Sequence, residues 1–187
     1  MLAHPFGWLP EARQKQAFWA LLVPTLLFMT ALLSIGTPLK TAAAPGGMMA
    51  YEFAGTAASA QRMVGSWDHR AQLCAALGLG LDYLFLVLYA CSIALGCALV
   101  AQRLSGRRFL TAAGAFLAWG QFAAALLDAV ENYALIRILL YGVESEVWPA
   151  TAFCCAALKF ALVVPGILYV LLGALWATCA GNRRTAQ

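Results

Sequence analysis

Four long apolar runs dominate this chain, and its charged residues gather at the breaks between them. The first runs from Phe18 to Ile35 and is closed by Gly36, Thr37 and Pro38. The second, Leu77 to Ala101, is interrupted by Asp82 alone and ends just before Arg103. The third starts at Phe109, stays apolar to Leu127, and is expected to continue as helix to Leu140. The fourth follows Trp148 and covers Pro149 to Cys179, ahead of Gly181, a residue suited to ending a helix. A helix crosses the hydrocarbon layer with about 20 mostly apolar residues. The pattern therefore predicts spans at 18–35, 77–101, 109–140 and 149–179, the third reaching past the membrane face. Pro24 and Pro165 lie inside spans, where each removes one backbone hydrogen bond.

The stretch from 36 to 76 is too long for a simple turn. Thr41 to Gly47 reads as a flexible connection. Beyond it, Phe53, Ala57, Ala60, Val64 and Trp67 recur at intervals of three and four, which places them on one helical stripe. Glu52, Thr56, Ser59 and Arg62 fall largely off that stripe. The spacing predicts an amphipathic helix at about 49–67, covering the bundle or lying at the lipid interface. Packing is sufficient reason for such a stripe, and a mobile lid is the sharper alternative. Most tryptophans sit at the proposed membrane boundaries, but Trp119 lies deeper and is expected to pack inside the bundle.

Composition turns these runs into a fold class. Of 187 residues, 63% are hydrophobic and 11% charged, against about 25% charged in ordinary soluble domains. Such a surface needs lipid as part of its solvent. The expectation is an all-α, polytopic membrane four-helix bundle with an additional amphipathic outer helix, built as one membrane domain over 1–187. The net charge of +4 is spread over helix ends, which argues against nucleic acid as a partner.

Basic residues choose the cytoplasmic side. Arg13 and Lys15, then Arg103, Arg107 and Arg108, then Arg183 and Arg184 share one side of an even-numbered bundle, while the loop from Tyr141 to Trp148 carries Glu144 and Glu146. Both termini are expected in the cytoplasm, and the membrane is expected to be a bacterial inner membrane. The basic start and Ala42-Ala43-Ala44 also resemble a signal peptide, but the first apolar run exceeds the usual length of about 7–15 residues, so it is read as an uncleaved anchor.

The candidate chemistry lies in Asp82, Asp128, Glu131, Asn132 and Lys159. Counted from the basic boundary at 1.5 Å per residue, Asp128, Asp82 and Lys159 stand at about 28 Å, about 31 Å and about 36 Å. All three helices thus bring charge to the outer edge of a hydrocarbon layer about 30 Å thick. Asp128, Glu131 and Asn132 occupy positions i, i+3 and i+4 and share a face. Gln121, seven residues earlier, continues that stripe inward. Tyr83 and Tyr133 are placed to donate hydrogen bonds if they turn inward.

Three readings compete. A structural clasp has Lys159 neutralising the acids and fixing helix register. A binding pocket under the outer helix uses Asp82, Gln121, Asp128, Glu131, Asn132 and Lys159 to hold a polar head while the bundle holds an apolar tail. A Mg²⁺ or Ca²⁺ site from the three acids is weakened by Lys159, which competes for the same charge. No metal and no cofactor are expected. With His4 and His69 as its two histidines, the chain is not expected to hold a bis-histidine haem or a histidine-rich metal site. The six cysteines form no Cys-x-x-Cys pair and read as small apolar residues, with a Cys74 disulfide to Cys154 or Cys155 left open. Small residues at 112–118 suit close packing within the chain or against a protein partner or second copy.

No Walker loop, nucleophile elbow or dinucleotide fingerprint appears. The function expected is a non-enzymatic protein binding a lipid or small amphipathic ligand. A structural or assembly subunit of a membrane complex comes next, then a membrane enzyme acting on a lipid-soluble substrate.

Overall fold

The computed structural model describes residues 4–143 and 145–185 and, in the last helix, side chains as far as Trp176. Glu144 and the side chains of Cys179, Arg183 and Arg184 lie outside that description. Among the described residues every regular element is a helix: α1 (Glu11–Ile35), a 3-10 turn (Thr37–Leu39), α2 (Met48–Glu52), α3 (Ala57–Gly65), α4 (His69–Arg103), α5 (Arg108–Tyr141) and α6 (Val147–Thr185). Helices α1, α4, α5 and α6 are long and apolar enough to cross a membrane. At 35 and 34 residues, α4 and α5 extend over about 50 Å, well beyond the hydrocarbon thickness.

Helix α4 is the centre of the bundle. It packs against α1, α5 and α6, and α5 packs against α6. The contrast with α1 is plain: α4 buries 14 of its residues, whereas α1 buries only Gln14 and Thr25. A helix this apolar with almost nothing buried needs lipid around it. Close approach of α4, α5 and α6 depends on small side chains. Gly114, Ala115 and Ala118 are buried within the chain, Gly114 against Tyr169 and Ala101. Trp119 departs from expectation: it is about half exposed, its ring near Phe122. Depth in a span does not imply burial in protein, because the outward face of such a helix meets lipid rather than water.

Helices α2 and α3 cover one end of the bundle, here termed the cap end. They are two helices, not the single one that the stripe predicts. The chain leaves helix at Phe53, and Gly55 takes a positive φ of 70°, a conformation glycine adopts without steric cost. Thr56 then begins α3 by accepting a hydrogen bond from Ser59 N at 3.2 Å. The cap has its own core of Leu39, Tyr51, Trp67, Leu79, Leu135 and Ile138. Its polar tips are anchored: Tyr51 donates to the Leu135 carbonyl at 3.0 Å, and Trp67 Nε1 to that of Leu39 at 2.9 Å.

The stretch expected to be a flexible connection is a closed turn. Thr41 and Ala44 exchange backbone hydrogen bonds, the Thr41 and Ser66 hydroxyls meet at 2.7 Å, and Ala44 is fully buried. Glu146 accepts from Ala57 N at 2.7 Å and ties the α5–α6 loop to the start of α3.

Candidate functional site

Beneath the cap, residues from α2, α4, α5 and α6 meet. The third span contributes Asp128, Glu131 and Asn132 from successive turns of one face, and all three are buried. Across from them on α6, Lys159 Nζ lies 2.8 Å from Asp128 Oδ1 and 2.8 Å from Glu131 Oε2. Glu131 and Lys159 are 1% and 9% exposed at their side chains, so water offers them almost no screening. Removing either partner strands a buried charge, and such losses cost about 3–5 kcal/mol. From α4, Tyr89 completes the arrangement by donating its phenol to Asp128 Oδ2 at 2.9 Å.

Asp82 stands in a different setting. Its Oδ2 accepts from Asn132 Nδ2 at 2.6 Å, a neutral donor, and no ion pair within 4 Å reaches it among the described residues. Glu52, the last residue of α2, reaches the cluster from above. Its Oε2 is 3.8 Å from Lys159 Nζ, buried and without a hydrogen-bond partner. Burial pushes the Glu52 carboxyl up to about 7 against its ordinary 4.5; the Lys159 ammonium opposes this, while Asp128 and Asp82 add to it.

A cavity of about 480 Å³ lies between α1, α2 and α4, within the range of about 300–1,000 Å³ typical of small-molecule sites. Met29, Leu32, Leu79 and Phe85 are among its apolar walls, whereas Glu52, Asp82 and Asn132 supply polar groups, and the exposed Lys40 also lines it. Of the six residues singled out in the sequence, Asp82 and Asn132 line this space. Asp128, Glu131 and Lys159 do not; they bind one another behind it. Gln121 belongs to neither group. It is fully buried and donates to the carbonyls of Leu117 and Leu162 at 3.2 and 3.1 Å. Helix α6 approaches so closely there that a Cβ on Gly166 would meet Gln121 Nε2 at 2.5 Å. Its amide serves helix packing rather than the cavity.

Three contributors escaped the sequence reading. Tyr89 was legible as the residue seven after Asp82, on the same face of α4. Glu52 was assigned to the polar face of one long helix. The break at Phe53 frees α2 to rotate, so Tyr51 and Glu52 turn inward while Phe53, the first residue of the expected stripe, is exposed beside Phe153 and Phe160. Lys40 carried no signal beyond its charge. Tyr83 and Tyr133 do not join the cluster through their phenols: Tyr83 donates to the Ala129 carbonyl at 3.1 Å, and the Tyr133 ring meets Trp148.

Lys159 Nζ sits among the carboxylates of Asp128, Glu131 and Glu52, and among the described residues no three His, Cys, Asp or Glu side chains are arranged to hold a metal ion. Cys74, Cys154 and Cys155 are unpaired thiols. Compared with protein-family models, curated proteins and solved structures, the chain has no match, so the site is understood from its own geometry.

Proposed function

We propose that this chain is a multi-pass protein of a bacterial inner membrane, both termini cytoplasmic, that binds a lipid or small amphipathic molecule at the outer leaflet. The polar head meets Asp82, Asn132 and Glu52, and an apolar tail follows the α1–α4 wall past Met29, Leu32 and Phe85. The observation that carries this reading is the cavity itself, with apolar walls along two spans and the partly buried Glu52 and Asp82 on one side. Polar side chains at membrane depth mark ligand sites unless fully engaged with one another. Lys159, Asp128 and Glu131 are instead ion-paired with one another, which ties α5 to α6.

Gly78 provides the test. It lines the cavity, and a Cβ there would meet only Met48 Cε, at 4.0 Å. A Cβ at this position therefore enters open space, and Gly78→Leu extends an apolar side chain from it. Native mass spectrometry of the full chain from mild detergent is expected to show a lipid-sized adduct on the wild type, reduced at least tenfold in the variant at equal thermal stability. An adduct unchanged by Gly78→Leu, or a stoichiometric protein partner in place of any adduct, defeats the binding reading; the partner would mark an assembly subunit instead.

A further inference from the structure

We infer that the occupant is an amine-bearing phospholipid of the phosphoethanolamine type, its ammonium held between Asp82 and Glu52 and its phosphate met by Lys40. This rests on the cavity reading above. Three carboxyls, those of Glu52, Asp128 and Glu131, lie within 3.8 Å of the single ammonium of Lys159, and a fourth, Asp82, stands beside them on Asn132. That ammonium is already committed at 2.8 Å to both Asp128 and Glu131. The two carboxyls it leaves under-neutralised are Asp82, which has only an amide donor, and Glu52, whose Oε2 is buried and accepts no hydrogen bond. These same two line the cavity, whereas Asp128 and Glu131, each ion-paired with Lys159 at 2.8 Å, do not.

Ionised carboxylates only accept hydrogen bonds, and at low dielectric they require an opposing charge. A primary ammonium brings one positive charge and three donors, which matches two carboxylates with free lone pairs. A trimethylated ammonium brings the charge without the donors. A phosphoglycerol head brings hydroxyl donors but no positive charge, and sets its phosphate charge near the acids. Lys40 lines the same cavity from the turn after α1 and is exposed, so it supplies a partner for the phosphate. The apolar walls from α1 and α4 continue onto the exposed faces of Met29 and Leu33, where acyl chains remain in the bilayer.

The full chain is titrated in detergent with lipids of equal acyl chains bearing phosphoethanolamine, phosphocholine or phosphoglycerol heads, and bound lipid is counted by native mass spectrometry. The phosphoethanolamine lipid is expected to bind at least tenfold more tightly than the phosphoglycerol lipid and severalfold more tightly than the phosphocholine lipid. Asp82→Asn is expected to erase that preference, and Glu52→Gln, on a short cap helix, to reduce it in a second background. Equal binding of all three heads, each lost in Gly78→Leu, overturns the amine assignment and leaves the cavity reading standing. Binding insensitive to Gly78→Leu overturns both. Displacement by tailless phosphoethanolamine at equal concentration overturns the assignment to a lipid.

Discussion

The two ends of the bundle bury polar groups by opposite means. At the end opposite the cap, the segment before α1 folds back on the helices, and the buried groups are neutral. Gln14 Nε2 donates to the carbonyls of Phe6 and Leu9 at 3.1 and 2.8 Å. Gln102 donates to Gln14 Oε1 at 2.8 Å and meets His4 Nε2 at 3.1 Å. Charge stays at the periphery there, with the Arg107 guanidinium over the Trp176 ring at 4.6 Å. Long basic side chains near helix ends reach the interface in this way. At the cap end, ionisable groups are roofed over by α2 and α3, and their charges must be matched inside. The difference teaches that this end spends stability on keeping charge under cover, whereas the opposite end satisfies its buried groups with neutral hydrogen bonds.

Breaking the charged end should cost most. Lys159→Met leaves Asp128 and Glu131 buried without their cation, and a loss of about 3–5 kcal/mol is expected, read as reduced unfolding midpoint or loss of the monodisperse species in mild detergent. Adding Asp128→Asn and Glu131→Gln in the same chain should recover much of that loss. If Lys159→Met alone is as stable as wild type, the pair is not a clasp.

The next effect concerns Glu52 and pH. Its folded value of about 7 lies above the ordinary 4.5, so docking of α2 is fully favoured below pH about 4.5 and weakens as pH rises toward about 7. The groups facing Glu52 are Lys159 on α6, Asp128 and Glu131 on α5, and Asp82 on α4. The difference in carboxyl affinity for its proton corresponds to about 3 kcal/mol across that window. Hydrogen exchange of the α2 amides, corrected for intrinsic rate, should accelerate with pH in the wild type and stay level in Glu52→Gln. Identical profiles would show that Glu52 titrates as though exposed.

The neutral end should respond least. Gln102→Leu removes a donor to Gln14 but strands no charge, so about 1 kcal/mol is expected by the same unfolding measurement. A loss as large as that of Lys159→Met would erase the contrast between the two ends.

The chain's apolar runs and scarce charges determined by themselves that it forms four long helices suited to a membrane with further helix beside them, because hydrophobic length and periodicity are local properties. The i, i+3, i+4 spacing likewise sufficed to put Asp128, Glu131 and Asn132 on one face of α5. Tertiary structure alone decided which groups meet. Whether Lys159 faces Asp128 and Glu131 or lines the cavity depends on the rotation of α6 about its axis, and whether Glu52 enters the cluster depends on a helix break at Phe53 that a regular apolar stripe conceals. Gln121 lies on the acidic stripe, yet the close passage of α6 at Gly166 turns its amide to packing. Periodicity fixes a residue's angle around its own helix; its partner is fixed by how neighbouring helices turn and approach.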